Sequence, residues 1–247
     1  MSEANTEKAP FRADHVGSLL RPPAVTEARA QYAAGRISRE QLAAVEDEAI
    51  RDVVAMQQEA GLHVVTDGET RRSFWHYDFM QDLVGLVFEE RDVTTGIQFK
   101  GAHTKPIFPV INGPIDFPDD HPMLGHFEYL KSVAAVTPKI SIPGPSVCHF
   151  RVAREDVAWQ PYRDDVELLF ADLTTAYRKA VAAFYARGCR YLQLDDIYFA
   201  YLCDPKIRDQ KRAEGLDPDW LIGRYARMMH DAIEGRPEDM LIGMHMC

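Results

Sequence analysis

One unit recurs three times along the chain and constrains the fold more than any single residue: an amphipathic helix, a glycine, a short apolar run, and a polar or acidic tip. The first copy opens at Ser38-x-x-Gln41, a capping box. It carries Leu42, Val45, Ala49, Val53, Met56 and Ala60 at helical spacing. Gly61 suits the left-handed position that ends a helix, and Leu62-His63-Val64-Val65-Thr66-Asp67-Gly68-Glu69 follows as a strand with acids at its end. The second copy opens at Asp164-x-x-Glu167 and shows Val166, Leu169, Phe170, Leu173, Tyr177, Ala180 and Phe184 on one face. It stops at Gly188 and runs into Arg190-Tyr191-Leu192-Gln193-Leu194-Asp195-Asp196. The third starts at Asp217-Pro218, an N-cap with proline at the first helical position. It carries Leu221, Ile222, Tyr225, Met229 and Ala232, ends at Gly235 and leads to a strand over 240–247. Strands separated by helices pair in parallel, so this grammar predicts an α/β fold.

Two further strands are expected, near 12–17 and at 139–142, the latter ending in Pro143-Gly144-Pro145-Ser146. With those near 63–67, 190–194 and 240–246 the core strands number five. Eight such units close a (β/α)8 TIM barrel of roughly 250 residues or more. The count therefore predicts a barrel carried only through its fifth strand, with about three strands beyond Cys247. An open doubly wound sheet is the alternative, but no glycine-rich dinucleotide fingerprint follows the first strand. The stretch 84–125 breaks the rhythm. Its Val, Thr, Ile and Phe content, with Gly96, Gly101 and Gly113, predicts an inserted β-hairpin or lid. Residues 1–10 are polar and read as a disordered tail, leaving 11–247 as one domain.

A net charge of −10 argues against nucleic acid as a partner. No run of about 18 apolar residues is present, which argues against a membrane span, and the N-terminus lacks a signal-peptide core. Cys148, Cys189, Cys203 and Cys247 do not form a disulfide framework in a chain of this size, so a reducing cytoplasm is expected. The expected partners are small molecules, and self-association into a homo-oligomer is compatible with the sequence.

In both α/β architectures ligands sit at the C-terminal ends of the strands. The polar tips there are Gly17-Ser18, Asp67-Gly68-Glu69, Gly144-Pro145-Ser146, Asp195-Asp196 and His245/Cys247. Backbone N–H groups, carboxylates and a soft ligand pair suit a small zwitterion that carries a thiol. His245-x-Cys247 places an imidazole and a thiolate on one side of a strand, within reach of one metal ion. Plainer readings stand beside these. Asp67 and Asp196 serve equally well as helix caps, Gly17-Ser18 as a turn, and Cys247 as an ordinary buried cysteine. Arg71-Arg72 reads as a helix-start or surface pair, or as an anion-binding group. Phe74, Trp75, Tyr77 and Phe79 read as packing, and His15, His76, His121 and His149 as structural histidines.

Four segments together bear a resemblance: Phe11-Arg-Ala-Asp-His-Val-Gly-Ser-Leu-Leu-Arg-Pro, Val65-Thr-Asp-Gly-Glu-Thr-Arg-Arg, Tyr191-Leu-Gln-Leu-Asp-Asp and His245-Met-Cys. In this order they resemble the cobalamin-independent methionine synthase family, in its short single-barrel form, over residues 11–247. The resemblance implies a (β/α)8 barrel with a catalytic zinc held in part by His245 and Cys247. The family's other ligands, a Glu and a second Cys, have no counterpart in the chain. It implies that Val16, Gly17, Ser18 and Glu69 hold the amino-acid group of homocysteine and that Asp195 binds its ammonium. Two positions depart from the family pattern. Asp196-Ile197 stands where Glu-Pro is usual, and no Trp follows the Gly144-Pro145 loop until Trp159.

The expected activity is zinc-dependent methyl transfer to homocysteine from a methyl-folate, giving methionine, with no general acid assigned. A related barrel alkyltransferase using a corrinoid donor or another thiol, such as coenzyme M, is the first alternative. A metal-free decarboxylase of the uroporphyrinogen type and a non-catalytic amino-acid-binding barrel are the others.

Overall fold

A computed structural model of the chain describes residues 13–91 and 107–246. The elements in order are α1 Pro23–Ala33, α2 Arg39–Glu59, β1 Val64–Val65, α3 Tyr77–Met80, β2 Val84–Glu90, β3 Ile107–Asp116, α4 Pro122–Val133, β4 Thr137–Pro143 and α5 Ser146–Phe150. They continue with α6 Gln160–Asp164, α7 Val166–Ala186, β5 Tyr191–Asp195, α8 Tyr198–Tyr201, α9 Pro205–Ala213, α10 Pro218–Ile233 and β6 Leu241–His245.

Strands β1, β4, β5 and β6 form one sheet in that order, each parallel to the next. Their order in space is their order in the chain, so right-handed crossovers lay the connecting helices on a single face. Helices α2, α4, α7 and α10 accordingly pack one against the next. Ile140, Ile142, Leu192 and Leu194 face this layer and share a core with Phe127, Phe184, Tyr225 and Met228. This is an α/β fold with a parallel sheet, as expected.

The three recurrent units are present. Ser38 and Gln41 form the reciprocal capping box, and Gly61, Gly188 and Gly235 take φ of 84°, 92° and 75° after their helices. Asp217 caps α10 by accepting from the Asp219 N–H. The second helix is capped by Asp165 rather than Asp164, because the Asp165 carboxylate accepts from the Glu167 N–H. The inserted hairpin is also present: β2 and β3 pair antiparallel. Its connection, with Gly96 and Gly101, lies outside the described residues, as does the tail 1–10.

The strand expected near 12–17 does not form across its described part, residues 13–17. The backbone there is held by other groups. The Lys139 ammonium donates to the His15 carbonyl at 2.6 Å, and the Leu19 N–H donates to the Gly68 carbonyl at 3.1 Å. Gly17, with φ of 80°, turns the chain out of an extended path.

Candidate functional site

The two faces of the parallel sheet differ in chemistry. A parallel strand covered on both sides is normally apolar throughout. Here Lys139 and Ser141 alternate with Ile140 and Ile142, and Gln193 and Asp195 alternate with Leu192 and Leu194. All four polar residues are buried. The period of two sends them to the face away from the helices, where they meet the loop that follows β1.

That loop is held in an unusual shape. Gly68 and Glu69 both take positive φ, 60° and 53°, and for Glu69 this costs about 1–2 kcal/mol of backbone strain. Side chains enforce it. The Glu69 N–H donates to Asp67 Oδ1 at 2.9 Å. Arg21 donates to the carbonyls of Glu69 and Arg72 at 3.1 and 2.6 Å. Arg29 donates to those of Thr70 and Arg72 at 2.7 and 2.9 Å. The result aims the Glu69 carboxylate at the polar face, where it accepts from Ser141 Oγ at 3.2 Å and pairs with Arg72 at 3.5 Å.

Asp195 ends β5 on the same face and accepts from Gln193 Nε2 at 2.6 Å. Burial raises its pKa above the usual carboxylate range, against the Gln193 hydrogen bond and the charges of Arg72, His245 and Lys139. Burial likewise raises that of Glu69, opposed by Arg72 and reinforced by the negative charge of Asp195. Glu69 and Asp195 are thus two buried carboxylates that feel each other and whose charged forms burial disfavours. An alkylammonium would relieve both.

His245 lies directly across from Asp195 in the β5–β6 register, so the two side chains share this face. The Val16-Gly17-Ser18 segment is brought beside the Glu69 loop by the bond from Leu19 to Gly68, with Val16 and Ser18 exposed. The structure thus gathers Val16, Gly17, Ser18, Glu69, Asp195 and His245 at the C-terminal ends of the strands. Cys247 lies outside the described residues.

Several expectations need correction. Arg71 and Arg72 are not a surface pair. Arg72 is buried against Glu69, and Arg71 pairs with Glu46 and Asp47. The stripe read on α2 holds in part: Leu42, Ala49 and Val53 are buried, but so are Glu46, Ile50, Val54 and Gln57, whereas Val45 is half-buried, Ala60 is exposed and Met56 is 49% exposed. Of the acids offered as caps, Asp196 does accept from the Tyr198 N–H at 3.2 Å, but its other oxygen accepts from Ser146 Oγ at 2.6 Å. It points into the helix layer, away from Asp195. Phe79 is core, while Trp75 stacks on His76 at 4.5 Å and the Tyr77 ring lies tilted against His76 at 4.0 Å between centroids. His121 caps α4, and His149 bonds the Tyr225 hydroxyl at 2.6 Å. Among the described residues, donor atoms of His230, Asp231 and Glu234 lie within 4.8 Å of one another. That group lies at the end of α10 that leads into β6, whereas His245 ends β6 at the opposite, C-terminal end of the strand.

Lys139, Ser141 and Gln193 join the site without having been singled out from sequence. The signal was there: a polar residue at every second position of two strands that should be wholly apolar.

The family model described as cobalamin-independent synthase, catalytic domain, matches residues 11–247. The chain belongs to this family. It is 46% identical over 241 residues to YxjH of Bacillus subtilis, a protein described as uncharacterized, covering 97% of this chain and 62% of that protein. The crystal structure of a putative vitamin-B12-independent methionine synthase from Listeria monocytogenes superposes with a TM-score of 0.80 at 40% identity, covering 98% of this chain and 66% of that one. The 5-methyltetrahydropteroyltriglutamate–homocysteine methyltransferase of Thermotoga sp. is 26% identical over 241 residues, 96% of this chain and 30% of the enzyme. The chain therefore spans less than two thirds of the length of these relatives. Among the described residues no helix is long and apolar enough to cross a membrane.

Proposed function

We propose that this cobalamin-independent synthase domain transfers a methyl group to the sulfur of homocysteine, giving methionine, and that its four-stranded arc is part of a (β/α)8 barrel. The observation that carries the reading is the buried carboxylate pair Glu69 and Asp195 on the face shared with His245. An amino acid bound there places its ammonium between the two carboxylates. The N–H groups of Val16, Gly17 and Ser18 receive its carboxylate, and its thiol extends toward the tip of β6. A methyl-folate is the proposed donor, in keeping with the name of the Thermotoga relative.

The donor set suits zinc: a half-buried imidazole at a strand end, with Cys247 next on the same side if the strand continues. Zinc bound by His245 and Cys247 would supply a thiolate at neutral pH by stabilising the ionised sulfur. The protein's own part is to bind and orient the acceptor, so that sulfur and methyl carbon meet in line. A carbon–sulfur bond forms, the carbon–nitrogen bond of the donor breaks, and its electron pair and a proton go to the leaving nitrogen. The test is calorimetric titration of homocysteine in buffers of different ionisation enthalpy, with metal analysis. The expected result is bound zinc and release of about one proton per thiol taken up. Protein that holds no zinc, or binds the thiol without releasing a proton, excludes this mechanism.

A further inference from the structure

Lys139 is almost fully buried on the polar face of β4, and each hydrogen of its ammonium has a partner. It donates to the His15 carbonyl at 2.6 Å and to Gln193 Oε1 at 2.9 Å, and it pairs with Asp14 Oδ2 at 3.0 Å. These three partners lie on the two arms of the proposed acceptor site. Asp14 and His15 immediately precede Val16-Gly17-Ser18. Gln193 passes the contact on, since its amide nitrogen donates to Asp195 Oδ1 at 2.6 Å. Tyr191 reinforces the first arm, with its hydroxyl on Asp14 Oδ2 at 2.7 Å and its ring 5.2 Å from the Lys139 ammonium.

We infer that Lys139 is a positioning residue that registers the carboxylate-binding arm of the acceptor site against its ammonium-binding arm. The physical case rests on cost. Residues 13–17 have no strand ladder to hold them, so their placement depends on these side-chain bonds. Gln193 has its oxygen committed to Lys139 and its nitrogen to Asp195, which fixes the amide's orientation. With the lysine removed, the amide is free to turn its oxygen toward Asp195 and repel it. An ammonium buried this deeply persists only when paired and hydrogen-bonded, and apolar packing would fill the same space at lower electrostatic cost. Its position between the two arms accounts for a charged residue being there.

The inference rests on the acceptor reading above and is separable from it by three thiols. Homocysteine has both end groups, 4-mercaptobutanoate lacks the ammonium, and 3-mercaptopropylamine lacks the carboxylate. Binding of each to zinc-loaded protein is measured by calorimetry for wild type, Lys139→Met, Gln193→Met and Asp14→Ala. The expected wild-type order is homocysteine tighter than either analogue by at least tenfold. Gln193→Met should reduce the preference over 4-mercaptobutanoate to under threefold and keep the preference over 3-mercaptopropylamine. Asp14→Ala should do the reverse, and Lys139→Met should lose both, each with wild-type zinc content. If Lys139→Met fails to fold, the other two variants decide the question. Variants that weaken all three thiols by the same factor make the network merely structural and overturn this inference alone. Wild-type protein that binds none of the three overturns the acceptor reading with it.

Discussion

Asp195 and Asp196 are neighbours in sequence and do opposite work. Strand alternation sends Asp195 to the polar face and Asp196 into the helix layer. Asp195, raised by burial, is favoured by folding only while protonated. That contribution is lost as pH rises through its folded value, so at neutral pH its charge is a cost to the empty protein. Asp195→Asn should therefore raise the melting temperature of the ligand-free protein at pH 7.5. It should weaken homocysteine by about 2–4 kcal/mol, because the bound ammonium loses a buried counter-charge. Zinc content should stay near wild type, and equal loss of metal and thiol would make Asp195 part of the metal site. Asp196 is raised to about 6, chiefly by burial and against the Ser146 hydrogen bond. Ser146→Ala should cost about 1.5–3 kcal/mol at pH 8, where the hydroxyl serves an ionised acceptor, and about 1 kcal/mol at pH 5, where the carboxyl is protonated. Urea unfolding at the two pH values checks this, and equal losses would show that Asp196 does not ionise in that range.

Among the elements, α2 shows how charge redirects an apolar pattern. Apolar spacing alone turned its face toward Val45 and Met56, but Glu46 is buried between Arg29 and Arg71. Gln57 is buried as well. Its amide accepts from the Thr66 N–H at 3.0 Å and donates to the Thr66 carbonyl at 2.8 Å, extending β1 by a side chain where the strand itself is two residues long. Glu46→Ala should cost about 3–5 kcal/mol, because it strands the nearly buried Arg71 without one of its counter-charges. The partly buried Val45, in the same turn, should lose no more than about 1.5 kcal/mol on change to Ala. Comparable midpoints in urea for the two variants would contradict the ion-pair account. The loop of Asp67, Gly68 and Glu69 depends on this helix too, since an alanine-type carbon on Gly68 would press on Val53 Cγ1 at 3.2 Å and Leu19 Cβ at 3.1 Å.

For the whole molecule, buried and half-buried histidines govern the acid limb. His121, His126 and His149 are lowered to about 4 and His76 to about 3, in each case first by burial. A histidine depressed in the folded state contributes stability above its unfolded value and loses it as pH falls toward the folded one. Stability should therefore decline as pH drops from about 6.5 toward about 4, with proton uptake on unfolding. His121→Asn, which keeps a helix-capping side chain before α4, should reduce that uptake by about one proton near pH 5. The check is the pH dependence of the urea midpoint for the two proteins. Parallel curves would show that His121 titrates alike in both states.

The sequence by itself determined the three recurrent helix–strand units and their parallel pairing, though not the path of residues 13–17. Capping boxes, left-handed glycines and helical spacing act over a few residues, and the crossover length leaves parallel pairing as the outcome. It also located the polar tips, because strand ends are where such a fold exposes backbone. Tertiary structure decided which side chains work together. The clamp of Arg21 and Arg29 on the Glu69 loop joins residues more than 40 positions apart. The link from Asp14 through Lys139 and Gln193 to Asp195 spans most of the chain. A buried charge is tolerated only when distant partners satisfy it, and no local pattern encodes where those partners lie.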